Sequence, residues 1–72
     1  MESVVIESPE VLGPLIRSRR KELALTQTEL ADVAGTTLRF ISELERGKPT
    51  AQLDGVLRVL AALGIRLEAT PR

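Results

Sequence analysis

The sequence predicts an all-α fold, a compact four-helix domain with a short C-terminal β-strand used in dimerisation. Three observations predict it. Apolar residues recur at helical spacing in four separate stretches. Most of these stretches are bracketed by start and stop residues, with Ser, Thr or Pro before them and Gly or Pro after them. The last is followed by five residues that alternate apolar and polar, which is strand periodicity.

Residues 1–7 read as an N-terminal arm carrying Glu2 and Glu7, and Ser8-Pro9-Glu10 as a helix start: hydroxyl N-cap, proline at the first helical position, acid in the first turn. Helix one is expected over 9–23, with Leu12, Leu15, Ile16 and Leu23 as its apolar stripe. Pro14 either kinks its first turns or moves its regular start to Gly13. Thr26 with Glu29 three residues on forms a capping box for helix two, expected over 27–34. Gly35 suits the sharp turn that follows, and Thr36 or Thr37 caps helix three, expected over 37–46. Gly47 and Pro49 stop it. Helix four is expected over 53–63, with Val56, Leu57, Leu60 and Leu63 as its stripe, Gly55 as a tolerated weakness and Gly64 as its stop. Residues 65–69 are the expected strand. One short strand is not stable alone, so it calls for a partner, either the same tail of a second chain or Ser3-Val4-Val5-Ile6.

Seventy-two residues suit a single domain, 1–72, near the lower size limit for a self-sufficient core. The chain has no Cys and no His, which argues against a disulfide framework, a metal site, an acid–base enzyme or any cofactor. A single aromatic residue offers no stacking platform for single-stranded nucleic acid. No apolar run reaches the roughly 20 residues of a membrane span, and the acidic start is unlike a signal peptide, so a cytoplasmic location is expected. Net charge is zero, but residues 11–48 hold seven bases against five acids. A local basic face binds phosphate even when the total is neutral. The modest field implies two copies for tight binding.

Within Thr26–Lys48, the expected helix three separates into faces. At about 100° per residue, Thr37, Ile41, Leu44 and Glu45 share one side, and Arg39, Ser42, Glu43 and Arg46 the other. Leu38 and Phe40 fall on the flanks. Ile41 and Leu44 pack inward over Leu30 and Ala34, and Ala31 is small where the two helices cross. The outward side is polar and rich in hydrogen-bonding groups, as a major-groove reader requires. This is the pattern of a DNA-binding helix-turn-helix. Arg17, Arg19 and Lys21 form a basic run that reads mainly as a solvated face.

The residues Gln27, Glu29-Leu30-Ala31, Gly35, Ile41, Leu44-Glu45 and Gly47-Lys48 resemble the Xre-type helix-turn-helix repressors of the Cro group, over about Leu12 to Leu63. Within that family the chain most resembles HipB-like antitoxins. The resemblance implies a lambda-repressor-like fold and a homodimeric repressor that binds a palindromic double-stranded DNA operator. It also implies autoregulation of a toxin–antitoxin operon and a HipA-like kinase toxin as partner. It implies a DNA-binding set of Gln27, Thr36, Thr37, Leu38, Arg39, Ser42, Glu43, Arg46 and Lys48. In that set Gln27 holds a phosphate at the start of helix two, Arg39 makes the specific contact, and Arg46 and Lys48 grip the backbone. Arg20 and Glu45 are implied as a structural ion pair. Leu38 departs from the polar residue of many relatives, and Glu43 places an acid on a face that meets a polyanion. A solitary or phage-type repressor without a toxin, and a protein-interaction adaptor that has lost DNA binding, are the alternatives.

Overall fold

Four α-helices carry the chain described by the computed structural model, residues 3–72. They are α1 (Pro9–Glu22), α2 (Gln27–Ala34), α3 (Leu38–Glu45) and α4 (Leu53–Ala62). Residues 1 and 2 of the expected arm, Glu2 among them, lie outside the described residues. Helix α1 packs on α3, α3 on α2, and α2 on α4. The core between them is aliphatic: Ile16, Leu30, Ala31, Ala34, Ile41, Leu44, Val56, Val59, Leu60 and Leu63.

Local chemistry accounts for the starts. Thr26 and Glu29 form a reciprocal capping box: the Thr26 hydroxyl accepts from the Glu29 N–H at 3.0 Å, and the Thr26 N–H donates to the Glu29 carboxylate at 2.9 Å. Thr37, not Thr36, caps α3, its hydroxyl accepting from the Phe40 N–H at 3.0 Å. Ser8 stands at the N-cap of α1 but makes no side-chain cap bond, so that start rests on Pro9. Pro14 sits within α1 without ending it; the proline faces solvent, and the hydrogen bond its missing N–H forfeits is the cost.

All four helices stop in the same way. A residue with left-handed backbone follows each one, namely Ala24, Gly35, Gly47 and Gly64. The next N–H then donates five residues back: Leu25 to Arg20, Thr36 to Ala31, Lys48 to Glu43, and Ile65 to Leu60. Ala24 is the exception in side chain, held at φ 57° where its Cβ is strained.

Several expectations change. No strand occurs among the described residues, and 65–72 are irregular, as are 3–7. The reason lies in the cap: the Ile65 N–H is taken by the Leu60 carbonyl and the Ile65 side chain packs on the core. The start of the tail therefore closes α4 instead of opening a ladder. In α4 the buried stripe is Val56, Val59, Leu60 and Leu63, at i, i+3, i+4 and i+7, while Leu57 points to solvent beside Leu53. Leu23 is exposed, because α1 ends before it.

Two glycines set the helix spacing. A Cβ on Gly13 would lie 2.6 Å from the Glu45 carbonyl oxygen, so α1 and α3 touch backbone to backbone there. A Cβ on Gly55 would lie 2.6 Å from the tip of the Phe40 ring. Gly55 is thus no mere weakness: it is the seat on which the chain's one aromatic ring rests.

Two substitutions test this account in urea unfolding. Ala24→Gly should stabilise by about 0.5–1 kcal/mol by relieving the left-handed strain. Gly13→Ala should destabilise by about 1–3 kcal/mol, although alanine favours helix, because the backbone carbonyl it meets cannot turn aside.

Candidate nucleic-acid interface

The site is built on a buried ion pair. Arg20 of α1 donates from Nε to Glu45 Oε2 at 2.6 Å and from Nη2 to Oε1 at 3.0 Å, a bidentate fork. Its Nη1 donates to the Leu25 carbonyl at 2.8 Å. Gln27, the first residue of α2, donates its amide N–H to Glu45 Oε1 at 3.1 Å. Three helices thus meet at one carboxylate. Burial pushes the Glu45 carboxyl up, but the Arg20 and Gln27 hydrogen bonds and the charges of Arg20 and Arg17 outweigh it and leave it below its ordinary value. The hydrogen bond from Arg20 to Glu45 raises the guanidinium in turn, against the burial that lowers it.

Above this pair lies a groove of about 710 Å³ between the start of α2 and α3. Gln27, Thr28, Leu38, Ser42 and Arg46 line its walls, with Arg17 at the α1 side. The first-turn N–H groups of Gln27 and Thr28 have no intrahelical acceptor, which makes this helix end a place for a phosphate. Thr37 and Arg39 stand beyond the groove, with the Arg39 side chain 86% exposed.

The expected binding residues therefore fall into three places. Gln27, Leu38, Ser42 and Arg46 come together in the groove, although the amide of Gln27 is partly committed to Glu45. Glu43 and Lys48 sit on the opposite shoulder of α3, lining a notch of about 220 Å³ with Phe40 and Thr50. Ser42 and Glu43 do not share one surface, because adjacent helical residues diverge by about 100°. Thr36 leaves the set: its hydroxyl oxygen is buried, without a hydrogen-bond partner, in the turn between α2 and α3.

The basic residues of α1 divide likewise, and of the expected run Lys21 is exposed. Arg17 reaches the groove, Arg20 is buried in the ion pair, and Arg19 donates to the Leu63 carbonyl at 3.0 Å, closing α4. Arg17 lies one turn before Arg20, and Thr28 directly after Gln27. Those spacings were the available signal for two groove residues outside the expected set.

A polar groove at a helix N-terminus beside an outward-facing recognition helix is the geometry of a double-helix reader. A helix-turn-helix family model matches residues 16–69, most of the chain. The chain belongs to the helix-turn-helix family of DNA-binding transcriptional regulators. An uncharacterized HTH-type transcriptional regulator of Sinorhizobium fredii is 54% identical over 63 residues, covering 88% of this chain and 83% of the relative. Another, from Methanothermobacter thermautotrophicus, is 48% identical over 50 residues, covering 69% of this chain and 72% of the relative. Among solved structures, HipB in a HipA-HipB-O2-O3 complex superposes with a TM-score of 0.86 at 25% identity, over 96% of this chain and 97% of that one. The regulator is an Xre-type, HipB-like member of its family. No described helix is long and apolar enough to cross a membrane.

Glu45→Gln tests the ion pair. It should destabilise by about 3–5 kcal/mol near neutral pH by leaving Arg20 buried and charged. Because the folded Glu45 pKa lies below the ordinary 4.5, its stabilisation is complete above that pH and is lost as pH falls through the folded value. Urea midpoints measured on acidification should therefore fall more steeply for the wild type than for the variant.

Proposed function

We propose that this regulator binds a palindromic operator as a homodimer, represses its own promoter, and serves as the antitoxin for a HipA-type kinase. The observation that carries the reading is the groove beside α3, where Gln27, Arg17, Ser42 and Arg46 converge while Arg39 projects outward. In the complex, α3 enters the major groove with Arg39 directed at a guanine edge and Thr37, Leu38 and Ser42 beside it. Leucine at 38 fits a thymine methyl. Arg46, Arg17 and the N-terminus of α2 with Gln27 hold phosphates, and Lys48 and Glu43 lie at the far shoulder. Two copies place their recognition helices about 34 Å apart on successive major grooves. The likeness to HipB, including structures in complex with HipA and with a 20mer, supports the operator and toxin assignments.

A shift assay on DNA from upstream of the coding region is the test. Wild-type protein should retard it at low salt, with affinity falling steeply as salt rises. Arg39→Ala should cost about 1–3 kcal/mol and relax preference at one base pair, whereas Arg46→Ala should weaken all sequences alike. Wild-type protein that leaves the DNA unshifted would refute operator binding and favour an adaptor that acts on protein alone. Co-purification with the product of a neighbouring kinase-like gene checks the toxin assignment. A gene neighbourhood without one favours a solitary repressor.

A further inference from the structure

Glu43 sits among cations on the shoulder of α3 away from the groove. Its Oε2 accepts from Lys48 Nζ at 2.8 Å, and Arg39 Nε lies 3.5 Å from Oε1. The Lys48 N–H also donates to the Glu43 carbonyl at 3.1 Å, so Lys48 is tied to Glu43 through both backbone and side chain. The Glu43 side chain is 24% exposed and set in the notch beside Phe40, whereas Arg39 is almost wholly in solvent. The carboxylate is thus the anchored member, and the two cations are the ones able to change partner. The hydrogen bond from Lys48, with the charges of Lys48, Arg39 and Arg46, keeps the carboxyl below its ordinary pKa against the desolvation that raises it.

We infer that Glu43 is a specificity-determining residue that withholds Arg39 and Lys48 from non-specific DNA. The inference rests on the reading that α3 enters the major groove. Any duplex offers phosphates, and phosphate contacts made by free cations supply most of the affinity for unrelated sequence. Here an internal carboxylate competes for two of those cations. A phosphate gains little by replacing it, since one anion is exchanged for another. A guanine in the operator offers Arg39 two aligned acceptors as well, and only there is the exchange favourable. Glu43 therefore lowers affinity for every sequence, but least for the operator.

The test compares wild type and Glu43→Gln by fluorescence anisotropy across a salt series, on the upstream duplex and on a scrambled duplex of equal composition. The variant should bind the scrambled duplex roughly tenfold tighter, the scale of releasing two exposed ion pairs. Its salt slope there should steepen by about 1–2. Operator affinity should rise less, so the ratio between the two falls. Glu68→Gln, which removes the same charge from the C-terminal tail, should leave that ratio unchanged. In an Arg39→Ala/Lys48→Ala background the Glu43→Gln effect should vanish. An unchanged scrambled affinity, an equal gain on both duplexes, an equal effect of Glu68→Gln, or persistence of the effect in that background would each overturn the inference. Wild-type protein that binds neither duplex would overturn operator binding and this inference with it.

Discussion

The fork between Arg20 and Glu45 is the constraint on which the domain is assembled. A buried ion pair adds little net stability over a well-packed apolar pair, because desolvation consumes most of the attraction. What it supplies is orientation. The guanidinium is planar and the carboxylate accepts two parallel bonds, so α1 can meet α3 at one angle and one register. Gln27 reads the same carboxylate from α2, and the Leu25 carbonyl holds the third edge of the guanidinium. An apolar pair could fill this volume, but it could not make those two attachments. Gly13 completes the joint by letting the α1 backbone rest on the Glu45 carbonyl.

This joint also underlies the interface. Glu45 is the last residue of α3, and Gln27 is the first of α2. The start of α2 and the end of α3, which flank the groove, are therefore positioned from beneath by one carboxylate. Arg46 and Ser42 lie on the rim of the same groove, so their placement follows from the pair below them. Gln27 belongs to both layers, lining the groove while its amide donates to Glu45.

What could be read in the sequence was what depends on near neighbours. The Thr26–Glu29 box, the left-handed turns at Gly35, Gly47 and Gly64, and the division of α3 into inward and outward sides all follow from spacings of three to five residues. What escaped depends on residues distant in the chain. Gly55 looked like a weakness because Phe40, which lies over it, belongs to another helix. Leu57 and Val59 are equally apolar, and only the position of α2 decides which is buried. The tail alternates like a strand, but Ile65 is drawn into the cap of α4. Nothing in the threonine pair showed that Thr37 would cap α3 while Thr36 turned inward. The fourfold repetition of one stop motif was hidden by Ala24, whose side chain gives no sign of its backbone.

The division of labour within the eight residues of α3 has a consequence for how such proteins diversify. Ile41, Leu44 and Glu45 are fixed by the core and the ion pair, whereas Arg39 and Ser42, with Arg46 just past the helix end, take no part in the core packing. Outward positions can therefore change with little penalty to folding. Descendants of one scaffold are free to acquire new operator addresses one side chain at a time, and duplicated copies in one genome can drift apart in target while remaining alike in shape.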